Sequence, residues 1–164
     1  MGGSGACAGR SWHVYFVVEV SAMTSSVSLN DRAFAWVLRA GAVAISAYWA
    51  DFFTRGDVRT SDDQAYVDFE KAFLLADAFL AAMGLVSAHY LSRGRPEAVP
   101  TGVAVGSALI FLGLMDLAYD LQQGKFDDRT PEMAIEAAIV TISLTLGPCT
   151  MVRMWRARHR LGVA

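Results

Sequence analysis

The sequence predicts an all-α fold, a four-transmembrane-helix up-down bundle, and three observations predict it. The chain of 164 residues is 54% hydrophobic and 18% charged, with a mean hydropathy of +0.36, which is high for a soluble domain of this size. It holds four apolar stretches, each long enough to cross a hydrocarbon core, for which about 20 residues suffice. Short loops with charge, glycine or proline separate them, the punctuation that stops one helix and starts the next. The net charge of −2 provides no general basic field and argues against nucleic acid as a partner. Zinc-finger spacing, a Walker loop and GxGxxG do not occur. Cys7 and Cys149 are far apart, and Cys149 lies in an apolar span, so no structural disulfide is expected and Cys149 reads as a small packing residue.

Residues 1–32 are expected to be disordered or weakly ordered. MGGSGACAGR is glycine-rich. WHVYFVVEV is apolar but too short to span, and Glu19 interrupts it. It reads as a weak signal-peptide core behind Arg10, which the lack of a long apolar core disfavours, or as an upstream extension with the native start at Met23.

The membrane domain covers 33–155. Span one is 33–53. Arg39 lies near its start, where the long stem can reach the interface. Asp51 lies near its end, and Trp36, Tyr48 and Trp49 suit the two interfaces. Span two is 64–91, preceded by Ser61-Asp-Asp-Gln64, which matches a capping box. Its apolar run from Tyr66 to Leu91 carries Asp68, Glu70, Lys71 and Asp77. Ser92-Arg-Gly-Arg-Pro96 ends it. Span three is 99–121. Gly102 and Gly106 form a GxxxG, read as a packing face, and Asp116 and Asp120 share a helix face beside Tyr119. Gln122, Gln123 and Gly124 close it. Span four is 131–155 and opens on Thr130-Pro131-Glu132: an N-cap, proline at the first position and an acid in the first turn. Glu132 and Glu136 share a face, and Gly147-Pro148 predicts a kink. Residues 156–164 read as a basic cytoplasmic tail.

Arginine and lysine in the flanks set the orientation. One side collects Arg10, Arg32, Arg93, Arg95, Arg153, Arg156, Arg158 and Arg160; the other has Arg55, Arg59, Lys125 and Arg129. This excess predicts a multi-pass protein of the cell membrane with both termini in the cytoplasm. With that orientation the acids sort by depth. Asp51, Glu70, Asp120 and Glu136, one from each span, fall about 10–13 Å outside the midplane at 1.5 Å per residue. Asp116 lies deeper and Asp77 lies nearest the centre. A carboxylate inside a bilayer costs a few kcal/mol or more, so such groups face a bundle interior, a partner or a water-filled cavity. Asp77, Asp116, Glu70, Asp120, Glu136 and Asp51 are therefore the candidate ligand- or cation-binding residues.

Three chemistries suit an acid-lined outer cavity. One is a vestibule that draws in cations. The second is a pocket for a small cationic ligand, walled by Trp49, Tyr66, Phe69, Phe73 and Tyr119. The third is a proton path through Asp77. A purely structural account stands beside them: Asp68, Glu70, Glu132 and Glu136 complement helix N-termini, with Lys71 and Arg59 pairing some of them. Neither a cap nor an interface explains Asp77 and Asp116. Carboxylates alone suit hard cations such as Ca²⁺, Mg²⁺ or Mn²⁺. The Glu-x-x-His pattern of di-iron bundles is absent, and His89 lies too near the inner end to join the acids.

The segment FEKAFLLADAFLA, followed by LIFLGLMDLAYDLQQGKF and an acid-led fourth helix, resembles small four-helix integral membrane proteins, mostly actinobacterial. The resemblance covers about 33–155 and rests on Phe69-Glu70, Ala76-Asp77, the Gly113 to Asp120 block, Gly124 and Gly147-Pro148. It implies fold and location and no activity. The layout is also similar to the four-helix sterol-isomerase and sigma-2-receptor group, which places acids in a membrane pocket for amine or sterol ligands; this is architectural analogy. The sequence thus leads to a non-enzymatic membrane protein that binds or passes a cation, a proton or a cationic small molecule. A conductor of four spans per chain would favour a homo-oligomer. The alternatives are an isomerase-type membrane enzyme with Asp77 and Asp116 as acid and base, and an accessory subunit whose acids pair with a partner's basic helix.

Overall fold

The computed structural model describes residues 27–59, 63–127 and 130–163. Four long helices follow in order: α1 (Leu29–Thr54), α2 (Gln64–Ser92), α3 (Ala98–Gln123) and α4 (Pro131–Ala157), with a short 3₁₀ turn at Lys125–Asp127. All four are long and apolar enough to cross a membrane. The expected readings of the glycine-rich start, of the apolar run, of Met23 and of Ser61 lie outside the described residues.

Local chemistry sets the helix ends. α1 starts at Leu29, four residues before the expected 33, because Ser28 and Asp31 form a reciprocal cap. The Ser28 hydroxyl accepts from the Asp31 amide at 3.1 Å, and the Asp31 carboxylate accepts from the Ser28 amide at 3.4 Å. α2 begins at Gln64 with Asp63 in the N-cap position, later than a box built on Ser61 requires. Gly124 closes α3 in the left-handed region (φ 64°), and its amide donates to the Asp120 carbonyl. Thr130 caps α4 as expected, its hydroxyl accepting from the Met133 amide at 3.2 Å. α4 then continues through the exposed Pro148 to Ala157.

The helices pack in sequence order, α1 on α2, α2 on α3 and α3 on α4. Among the described residues no Cα of α1 comes within 8 Å of one in α4. The α3–α4 seam is closest at its glycines. A Cβ on Gly106 would lie 2.7 Å from the Gly147 carbonyl oxygen, and one on Gly147 would lie 2.9 Å from the Gly106 oxygen. A Cβ on Gly102 would meet Met154 at 2.5 Å. The GxxxG face therefore packs against α4, where only small residues allow the backbones so near.

Large apolar side chains cover the outside of the bundle on every helix, among them Val43, Phe79, Phe111 and Ile142. Such an apolar exterior suits a lipid solvent and not water. Of two outward groups, Cys149 differs from expectation and His89 agrees with it. Cys149 is exposed and so does not pack inside the bundle. His89 is exposed at the end of α2, 2.6 Å from an Arg93 nitrogen.

The chain end is not a free tail. After α4 it turns back and buries Leu161. Arg160 bonds the Asp31 carboxylate at 2.6 Å, and Arg153 bonds the same group at 3.3 Å and the Asn30 carbonyl at 2.6 Å. The Asp31 side chain is 3% exposed, so this is a buried anion held by two guanidinium groups. It joins the start of α1 to the end of α4, two helices whose backbones do not otherwise meet.

Candidate functional site

Each helix contributes one stripe to a common interior space. On α2 the stripe is Glu70, Phe73, Asp77 and Leu80; on α3 it is Leu109, Leu112 and Asp116. On α4 it is Glu136, Ile139, Ser143 and Leu146, with Ile142 beside them, and on α1 it is Gly41, Ala44, Ile45 and Tyr48. These spacings of three, four and seven are the helical period, so one face of each helix turns inward. The cavity they line measures about 220 Å³ and is partly open to the outside, where its lining residues Ala44 and Ile142 are exposed. Four carboxyl groups line it, and among the described residues no basic side chain does.

Four of the six candidate acids thus share one space: Glu70, Asp77, Asp116 and Glu136. Asp120 lies one turn beyond Asp116, 4% exposed, with Oδ2 buried and without a hydrogen-bond partner. It extends the acid row without lining the cavity. Asp51 faces elsewhere, since its carboxylate accepts from the Val58 amide at 3.1 Å and so closes the turn after α1.

The lining acids divide into two pairs. Those on α2 have partners from α1: the Trp49 indole donates to Asp77 at 2.9 Å, and the Tyr48 hydroxyl donates to Glu70 at 3.2 Å. Those on α3 and α4 do not. Among the described residues no hydrogen bond or ion pair reaches Asp116 or Glu136, and Glu136 is 7% exposed. Arg59, expected to pair with an acid, instead donates to the Phe52 carbonyl and lies over the Phe52 ring. Lys71 is exposed. Glu136 thus lines this partly open space with no hydrogen bond or ion pair from the described residues, although its carboxylate is not wholly shut off from the cavity.

The aromatic residues also redistribute. Of the expected walls only Phe73 lines the cavity, joined by Tyr48. Phe69 and Tyr119 stack at 4.0 Å between ring centroids, with Tyr66 beside them, and tie α2 to α3. Trp49 is buried and hydrogen-bonded, neither at an interface nor in the cavity wall, the two places expected for it, whereas Trp36 is exposed under the Arg39 guanidinium. Arg39 itself donates to the Ser92 hydroxyl at 3.2 Å, at the end of α2, as its long stem allows. The role of Trp49 was detectable: Leu38, Ala42, Ile45, Trp49 and Phe52 recur at three and four residues, so it falls on the inward face.

The acids do not make an evident metal centre. Among the described residues no three His, Cys, Asp or Glu side chains are placed to hold a metal ion. The remaining lining is aliphatic or aromatic apart from Ser143 and the Tyr48 hydroxyl, so the cavity offers anionic points on an apolar wall. Compared with family models, curated proteins and solved structures, the chain matches none. The class the fold defines is a four-helix bundle with membrane-span-like helices and a carboxyl-lined interior.

Proposed function

We propose that this chain is a multi-pass protein of the cell membrane whose interior cavity binds a small organic cation. The observation that carries the reading is Glu136, more than nine-tenths buried, lining the cavity and without a hydrogen-bond or ion-pair partner among the described residues. An ionised carboxylate away from water costs several kcal/mol unless a cation matches it. Asp116 shares the cavity and equally lacks a partner, so the unmatched charge concentrates on the α3–α4 side. Leu109, Leu112, Ile139 and Leu146 next to these acids suit the apolar body of an alkylammonium better than a hydrated metal ion. At about 220 Å³ the space is a little below the usual ligand-pocket range of roughly 300–1,000 Å³, which favours a compact ligand. The arginine excess supports cytoplasmic termini, which reporter fusions at Ala164 and near Asp128 test; a C-terminal reporter active outside the cytoplasm would refute that orientation.

The test of the cavity is ligand-linked stability. The purified chain is melted in detergent with alkylammonium ions of increasing size, with K⁺ and with Ca²⁺. A cation that binds the folded state alone raises Tm. An alkylammonium is expected to do so in wild type and in Glu132→Gln, and to lose the effect in Glu136→Gln. No stabilisation by any cation would refute the reading.

A second reading rests on a different pair. Asp77 and Asp116 line the same cavity, as a membrane isomerase using two carboxyl groups would need. Such an enzyme would bind a neutral, sterol-like ligand and lose turnover in Asp77→Asn, which the fold should tolerate because Trp49 can still donate to the amide oxygen.

A further inference from the structure

A second surface of interest lies on the outside of α4, away from the cavity. Pro148, Cys149, Val152, Arg153 and Arg156 line a shallow groove there. Residues 149, 152, 153 and 156 fall at helical spacing, so they form one continuous strip. The strip is graded along the helix axis: its first part is apolar or weakly polar, and its last turn carries two guanidinium groups.

α1 sets the depth of that gradient. Arg153 reaches the Asn30 carbonyl and the Asp31 carboxylate in the first turn of α1. This is the level at which the apolar spans begin. Arg156 sits nearly one turn further out, and Val152, Cys149 and Pro148 lie on the apolar side of the boundary. Trp155, 60% exposed and covered by the Arg158 guanidinium at 4.2 Å, marks the same level, as interfacial aromatics do.

The charge balance at this end is uneven. Arg32, Arg153, Arg156, Arg158 and Arg160 lie near this end, while the acid at the start of α1, Asp31, is already bonded by Arg153 and Arg160. The Arg153 Nε is buried without a hydrogen-bond partner. Arg156 is exposed, and among the described residues no acid pairs with it. Arg156 is thus left with free donors at the depth of a lipid headgroup, beside the positive charge of Arg153, whose guanidinium is held by Asn30, Asp31 and the Phe34 ring, and above an apolar strip at the depth of an acyl chain.

We propose that this groove holds an anionic phospholipid. Its phosphate would pair with the exposed Arg156 guanidinium in the field of Arg153, and one acyl chain would lie along Val152, Cys149 and Pro148. Guanidinium groups match phosphate oxygens in pairs, and basic clusters next to membrane helices select anionic headgroups. Charge complementarity together with matched depth selects a lipid over a soluble anion, which would use the arginines and leave the apolar strip empty.

The experiment melts the full chain in detergent with added phosphatidylglycerol, with phosphatidylcholine of the same acyl chains, or with inorganic phosphate. Phosphatidylglycerol is expected to raise Tm by about 5–10 °C at a hundredfold excess over its Kd, well beyond the shift with phosphatidylcholine. Arg156→Gln and Cys149→Trp, both exposed substitutions, should remove that difference, the first by charge and the second by filling the strip. Arg158→Gln, outside the groove, should keep it. Equal shifts from the two lipids, a full shift in Arg156→Gln or Cys149→Trp, or the same shift from inorganic phosphate would each overturn the proposal.

Discussion

The α3–α4 crossing yields a prediction with a calculable sign. At Gly106 a Cβ would lie 2.5 Å from the Met151 Cγ, 2.7 Å from the Gly147 oxygen and 3.2 Å from the Met151 amide nitrogen. Met151 can change rotamer, but the other two atoms are backbone. Ordinary contact begins at 3.4 Å, so the Gly147 oxygen must retreat by 0.7 Å, the difference between 3.4 and 2.7. Helices packed along their length cannot yield locally without disturbing neighbouring contacts, and overpacking of this kind costs about 1–3 kcal/mol. Alanine recovers about 0.5–1 kcal/mol of helix preference over glycine. The net expectation for Gly106→Ala is a loss centred on about 1 kcal/mol and at most about 2.5 kcal/mol, or roughly 2–10 °C in Tm for a chain of this size. Gly41→Ala is the internal control, because a Cβ there meets nothing within 4 Å. It should be neutral or raise Tm by up to about 4 °C. Gly147→Ala should resemble Gly106→Ala, and the double variant should cost less than the two singles together, since one widening of the seam relieves both clashes. Thermal unfolding in a single detergent, followed by circular dichroism, reads all four. Gly106→Ala melting with wild type, or both single variants at 106 and 41 shifting in the same direction, would refute the close approach.

Two further perturbations probe the polar contacts. Asp31→Asn leaves Arg153 and Arg160 facing a neutral amide; with both guanidinium groups partly exposed, the expected loss is about 1–3 kcal/mol, read as a lower Tm, and an unchanged Tm would show the bridge to be inert. Trp49→Phe removes the donor to Asp77 together with part of the buried ring, so it should destabilise by about 1–3 kcal/mol or somewhat more, while Trp49→Phe combined with Asp77→Leu should recover part of that loss, because no buried acceptor is then left unsatisfied.

The helices were largely legible because their causes are local. Apolar length, the Thr130 cap, the Gly124 stop and the Ser92 to Pro96 break all act within a few residues, and each helix end they imply appears in the structure. Helical period puts Glu70 and Asp77 on one face, and along span one it separates Trp49, on the inward face, from Trp36, on the outer one. The cap at Ser28 escaped because Leu29 to Arg32 is polar, and the apolar stretch starts only after it. What no local rule could decide is how four faces are rotated against one another. That rotation collects Glu70, Asp77, Asp116 and Glu136 into one cavity, turns Asp51 to a loop amide and gives Asp77 an indole partner. It also brings Asp31 to Arg160 across 129 positions of sequence, which no spacing rule anticipates. Sequence by itself determined how many helices form, where they end and that acids lie within them. Tertiary packing, set by the glycine seam between α3 and α4 and by the Asp31 bridge from α1 to α4, decided which acids meet and which of them, Glu136 above all, have no partner among the described residues.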